Sequence, residues 1–212
     1  MKIKVARKPA NTYQHGNLRE ALVQAGLKLL SEGGVDGLSL RAAAQLAGVS
    51  HAAPYRHFKD KDALVAAIAE QGFHLLTASM RAELAALDDP AGAGTTVQLR
   101  AIGKGYVRFA LQHPAYLLVI FGGVLAQDRT TPELTAAGNE AYETLRGCVA
   151  AGLARGDLQG GDADTLSLAA WSMVHGLSHL LINQAVKLPP GLAVDVATDI
   201  LLRVLDVGMR AR

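Results

Sequence analysis

With 212 residues, half of them hydrophobic, the chain is long enough for one small and one larger unit, each with its own buried core. Its single cysteine, Cys148, excludes an internal disulfide and lies within a helical pattern, which makes it a reduced, packed thiol. The net charge of +2 is unequally shared, because residues 1 to 66 hold ten Lys and Arg against five Asp and Glu, and residues 67 to 212 hold eleven against fourteen. A basic N-terminal third fits a phosphate-binding head on a body that needs no polyanion, the plain alternative being a solvated basic tail. No apolar h-region succeeds the basic N-terminus, so neither a signal nor a transit peptide is indicated and the cytoplasm is the expected location.

Residues 1 to 14 carry Lys2, Lys4, Arg7 and Lys8 before Pro9 with little periodicity, so an arm without structure of its own is expected, with or without a role along DNA. From Asn17 the spacing of Leu18, Leu22, Ala25 and Leu29 predicts a first helix that ends near Gly33 and Gly34. Ser39 then precedes Leu40, Ala43, Ala44 and Ala47, the apolar stripe of a helix of about nine residues. Gly48 supplies a residue tolerant of positive φ, and Val49 plugs the gap to the next helix. Ser50 is placed to cap that helix, along which His51, Ala52, Ala53, Tyr55, Arg56 and His57 are small, polar or aromatic before Phe58 returns to the core. Two helices joined through such a turn form a helix-turn-helix, whose second helix enters the major groove. Asp60 can cap a further helix with Lys61 in its first turn, a helix start suited to a phosphate.

The runs "LSLRAAAQLAGVS", "YRHF" and "KDKDAL", in this order and spacing, resemble the DNA-binding domain of TetR-family transcriptional regulators, and the opening "HGNLREAL" resembles it too. Pro54 departs from the family's usual apolar residue; with Ser50 as the cap it sits at the edge of the first turn, where its missing N–H costs one helical bond. The resemblance implies that Ser39, Tyr55, His57 and Lys61 contact phosphates, while Arg41, His51 and Ala52 approach base edges.

Beyond Lys61 a helix runs through Leu64, Ile68, Phe73, Leu76, Met80 and Leu84 to about Leu87, with no break between head and body. After a loop over 88 to 95, Leu99, Ile102, Tyr106, Phe109 and Ala110 mark a helix that His113 and Pro114 stop. Residues 115 to 127 make a short apolar segment, broken by Gly122 and Gly123 and too short to cross a membrane. Another helix is expected from Pro132 to about Arg155, ended by Gly156. The uncharged run from Thr165 to Val186 has the length of a membrane span, but its Ser, His, Asn and Gln side chains argue for a helix buried by its own core on one side and by a partner on the other. The last helix, from about Leu192 to Met209, repeats apolar residues at Val196, Ile200, Val204 and Val207, so residues 165 to 211 are expected to form a four-helix interface with a second copy.

No strand signal and no repeat is found, so the chain is expected to be all-α: an arm over 1–14, a three-helix helix-turn-helix domain over 15–60, and a helical ligand-binding and dimerisation domain over 61–212. The stretch "WSMVHGLSHLL", with Trp171, His175 and Gly176, resembles the WHG-type C-terminal domain of a subset of the family. The partners implied are a double-stranded inverted-repeat operator, a small-molecule effector and a homodimer, with no membrane, no cofactor and no catalysis. The large apolar side chains of Phe73, Met80, Tyr106, Phe109, Phe121, Tyr142 and Trp171, with His175 as a polar tip, are the candidate effector cavity, each of them singly also fit for ordinary core. The rival is a metal protein or enzyme built on His175 and His179, spaced i, i+4, although Gly176 stands where a zinc protease needs its Glu and no third ligand is evident. A third reading makes the body a pure dimerisation scaffold.

Overall fold

The computed structural model describes residues 18–125 and 129–209. The basic arm expected over 1–14 lies outside them. Within the described residues the chain is all-helical, with eight α-helices and one short 3-10 turn.

The helix α1 spans Leu18–Gly37 and kinks at Gly34, whose φ of 63° and ψ of −162° are open only to glycine, so the chain continues three residues past the expected stop. The helix α2, Leu40–Leu46, starts where Ser39 accepts a hydrogen bond from the Ala42 N–H at 3.1 Å. Gly48, at φ +71°, then turns the chain. The segment after it differs from the expected α-helix. Residues 51 to 53 are turns, and Pro54–Arg56 is a single 3-10 turn. The cause is Pro54: without an N–H it cannot bond the Ser50 carbonyl, which instead accepts from Ala53 at 3.0 Å. Pro54 itself is buried, so it serves as a core plug rather than as the edge of a first turn.

The helix α3, Lys61–Ala85, is capped by Asp60 accepting from the Ala63 N–H at 2.8 Å and is the axle of the molecule. It packs on α1, on α4 (Thr95–Gln112), on α5 (Pro114–Phe121) and on α6 (Pro132–Arg155). One core therefore runs along it, from Leu22, Val23, Leu40 and Phe58 in the head through Leu64 and Ile68 to Leu76, Met80 and Tyr106 in the body. The α3–α4 crossing is close because Gly105 carries no side chain: a Cβ there would lie 2.5 Å from the Met80 Cα. The helix α6 starts at Pro132 under a Thr131 cap and stops at Gly156 in the left-handed conformation, as its terminal residues dictate.

By length and composition α3 and α7 (Ala163–Ile182) could each cross a bilayer. In this fold α3 spends its apolar residues on the core, whereas α7 is two-sided. Leu166, Ala170, Val174 and Ser178 point inward and are buried, while Leu168, Ser172, Gly176 and Leu180 form an exposed stripe four residues apart. The helix α8, Val194–Met209, adds Val196, Ile200, Val204 and Val207 to the outside. Of the eleven exposed large hydrophobics among the described residues, seven lie between 168 and 207, so exposure is concentrated on one face.

Candidate functional site

The outward surface of the head is built by short-range geometry. Arg41 projects from the first turn of α2, and His51, Ala52, Tyr55, Arg56 and His57 line the turn segment beyond Gly48, all of them exposed. Tyr55 is 55% exposed although Pro54 and Phe58 on either side are buried, so the 3-10 turn throws the phenol ring outward. Ser39 is exposed as well; its oxygen accepts the cap bond, which leaves its proton for an outside acceptor. Lys61 is more confined, its Nζ donating to the Val35 carbonyl at 3.2 Å, so the ammonium ties the end of α1 to the start of α3 and keeps two protons for another acceptor. The exposed cations Arg56 and Lys59 share this surface; they lie inside the runs "YRHF" and "KDKDAL" but were not among the expected contacts, and their charge beside Tyr55 and His57 is the signal that the sequence offers for them.

Head and body meet at a polar junction. Gln24 of α1 donates to Gln71 Oε1 of α3 at 3.2 Å and to the Tyr116 hydroxyl of α5 at 3.1 Å, and Tyr116 donates to Gln71 Oε1 at 2.8 Å. Arg19 reinforces it, pairing with Glu70 at 3.1 Å while its guanidinium lies 5.9 Å from the centre of the Phe58 ring. Nothing in the spacing of Gln24, Gln71 and Tyr116 announces this meeting.

The body holds a cavity of about 260 Å³ between α3, α4, α5, α6 and α7. Six of the eight expected residues line it, namely Phe73, Met80, Tyr106, Phe121, Tyr142 and Trp171. Phe109 is not on its wall; it is fully buried and stacks toward His113, ring centres 5.6 Å apart. Three residues past Tyr106 on the same helix, it is turned by about 60° and points into the core. His175 stands one layer behind the wall, its Nδ1 2.6 Å from the Tyr106 hydroxyl and its ring edge-on to Phe121 at 5.0 Å. Leu76, Gly138, Asn139, Ala141 and Leu145 complete the wall, and a glycine in the middle of α6 was the one sequence signal among them.

Burial pushes the Tyr106 phenol up to about 12, a hydrogen bond from Trp171 offsetting only part of that, so Tyr106 keeps its proton and can donate it to His175 Nδ1 in the tautomer that carries the ring proton on Nε2. Burial, and then the neighbouring His179, lowers the His175 pKa from its ordinary value, which favours the neutral ring that can accept that bond. His179 lies 4.5 Å from His175 between ring centres, but its buried Nε2 has no hydrogen-bond partner among the described residues. No three His, Cys, Asp or Glu side chains gather into a metal-binding group among the described residues. Burial also raises the Cys148 thiol to about 11, so it is not a thiolate near neutral pH.

A helix-turn-helix surface joined by one long helix to a cavity-bearing helical body defines a DNA-binding regulator rather than an enzyme. Residues 22–68 match the family described as bacterial regulatory proteins, tetR family, and residues 99–205, about half of the chain, match the tetracyclin repressor-like C-terminal domain. The chain belongs to the TetR family of transcriptional regulators. A protein of unknown function from Rhodococcus sp. RHA1 is 33% identical, with 95% of this chain and 100% of that chain covered and a TM-score of 0.79. The tetracycline repressor protein class C of Escherichia coli is 46% identical over 52 residues, 24% of each chain, so the chain matches about a quarter of the length of such curated relatives. An HTH-type transcriptional regulator of Mycobacterium bovis is 26% identical over 139 residues, 65% of this chain and 58% of its own.

Proposed function

We propose that the protein is a cytoplasmic repressor that binds an inverted-repeat operator as a homodimer and releases it when a small molecule fills the body cavity. The head is taken as residues 15–60 and the body as 61–212, the latter of the WHG type on the strength of Trp171, His175 and Gly176. In this reading Ser39, Tyr55, His57 and Lys61 hold phosphates and Arg41, His51 and Ala52 meet base edges. The exposed stripes of α7 and α8 pair with their symmetry mates, which sets half-sites about one helical turn, roughly 34 Å, or a multiple apart.

The observation that carries the effector reading is that two cavity-lining helices also touch the head. Phe73 on α3 and Phe121 on α5 face the cavity, while Gln71 and Tyr116 of the same helices bond Gln24 of α1. A molecule that displaces either ring acts on the spacing of the two heads. Coupling of this kind is expected to be about 1–3 kcal/mol and reciprocal, so operator DNA weakens effector binding by the same factor. Sequencing the DNA fragments retained by the purified protein tests the core of the proposal. Recovery of one inverted repeat is the expected result, and equal affinity for that repeat and for random DNA removes the proposal.

A further inference from the structure

A second cavity of about 310 Å³ lies beside the first, between α3, α5, α6 and the segment after Gly123. Phe73, Gly138 and Asn139 line both. Consecutive residues of α5 face one each, Phe121 the first and Ile120 the second. The two spaces are therefore separated by a wall one aromatic ring thick. That ring, Phe73, is half-buried and meets Phe121 edge-on at 5.9 Å between centres. Across from it stands Gly138, where a Cβ would already touch the Phe73 ring at 3.5 Å. Glycine inside a helix costs stability relative to alanine, and what it provides here is room beside the ring. A turn of the Phe73 side chain to another staggered rotamer would join the two spaces.

The walls differ in chemistry. In the first cavity the Tyr106 hydroxyl is bonded to His175 and the Tyr142 hydroxyl reaches Asp164 at 3.4 Å, so a ligand there meets mainly rings and aliphatic groups. In the second, exposed Thr135 and Asn139 offer polar ends close to solvent. Among the described residues the lining of the first cavity contains no Asp, Glu, Lys, Arg or His, so a charged group carried past Phe73 would lose its water without gaining a partner.

Building on the effector reading above, we propose that the two cavities form one site for an elongated amphiphile. Its apolar tail turns Phe73 aside and lies in the first cavity, and its hydrogen-bonding end stays in the second, at Thr135 and Asn139. Phe73 is then the gate that sets ligand length.

Trp171 is the sole tryptophan of the chain and lines the first cavity but not the second, so its fluorescence reports the arrival of a tail. Primary alcohols from hexanol to tetradecanol are titrated into the full-length protein. Affinity is expected to rise about fourfold per methylene through the series, as burial of each group requires. In Gly138→Leu, which fills the space beside the ring, the rise should stop at a shorter chain. Phe73→Ala should tighten the longest alcohols at least tenfold more than the shortest alcohol that changes Trp171 emission. A rise that stops at the same length in wild type and both variants makes Phe73 a fixed wall and overturns the proposal. Quenching by a compact probe such as naphthalene, with none by any alcohol, also overturns it but leaves the effector cavity standing. If neither kind of probe changes Trp171 emission, the effector reading falls with it.

Discussion

The head and the body use their sequences in opposite ways. In the head, the side chains that face outward come from a single run, Ser39 to Lys61, whose capping serine, turn glycine and exposed Tyr55 are set by neighbours a few residues away. In the body, the cavity wall is assembled from five helices between Phe73 and Trp171, and no two of them announce their meeting. A surface that reads an external ligand can be local, whereas a cavity exists only after distant helices have packed. Apolar residues of the body accordingly fall into three classes that composition alone cannot separate: core, cavity wall and outer stripe. Substitutions that tell these classes apart test the comparison most sharply.

Phe109 and Phe73 lie on adjacent helices of the body, but Phe109 is fully buried and Phe73 is half-buried on a wall. Phe109→Ala should lower the unfolding free energy by about 3–5 kcal/mol, the usual cost of emptying a phenylalanine site in a packed core. Phe73→Ala should cost clearly less, because space already lies on two sides of that ring. Urea unfolding of both variants measures the difference, and equal losses would place Phe73 in the core.

Leu180 belongs to the third class, being 46% exposed on the outer stripe of α7. Leu180→Glu should leave the unfolding of the protomer nearly unchanged, yet weaken the proposed dimer by about 3 kcal/mol, since the paired interface would bury two carboxylates with no partner. Light scattering across a dilution series gives the shift in dimer dissociation, and a wild-type monomer at micromolar concentration removes the interface altogether.

For the head, the contrast lies between position and readout. Lys61→Ala is expected to weaken binding to all DNA sequences alike and to lower the salt slope by roughly one, whereas His51→Ala should relax preference at one base position by about 1–3 kcal/mol. Lys61 also bonds the Val35 carbonyl, so its loss should loosen the start of α3, while exposed His51 has no such structural duty. Binding titrations on an operator and its single-base variants at two salt concentrations separate the two. A uniform loss from His51→Ala would move that residue from base readout to phosphate contact.

The range of the forces involved decides how much of this architecture was legible in the sequence. The bounds of α6 were readable because Pro132, Thr131 and Gly156 act within one turn of the chain. The α-helix expected after Ser50 was not found, because a single missing N–H at Pro54 redirected the Ser50 carbonyl to Ala53 and left a 3-10 turn. Val196, Ile200, Val204 and Val207 of α8 could be put on one face from periodicity, since a stripe needs only the helical repeat, while the structure shows that this face is exposed. Periodicity could not separate Phe109 from Tyr106, three residues away on α4, because the direction each ring faces depends on which helix passes there. The junction of Gln24, Gln71 and Tyr116 joins residues up to 92 positions apart, beyond the reach of any local pattern.

The smallest expected effect concerns the proton behind the cavity wall. His175 has its pKa lowered from the ordinary 6.5 by burial and then by His179, and its Nδ1 shares a hydrogen bond with the Tyr106 hydroxyl. Below about pH 6.5 the unfolded chain takes up a proton at this position that the folded protein resists, so more protons are bound in the unfolded state and stability falls as the pH drops. Above that value both states hold the neutral ring and the contribution is complete. A ring that is still partly solvated supplies only a modest slope, which the other histidines overlay. The difference between wild type and His175→Gln isolates it: wild type should lose stability more steeply between the ordinary histidine value and the lowered one, and the two curves should run parallel above it. Imidazole carbon–proton resonances tracked through the same window should show the His175 midpoint below 6.5. A midpoint at or above that value, or identical slopes for the two proteins, would mean that His175 is solvated and that the Tyr106 bond does not hold it neutral behind the wall.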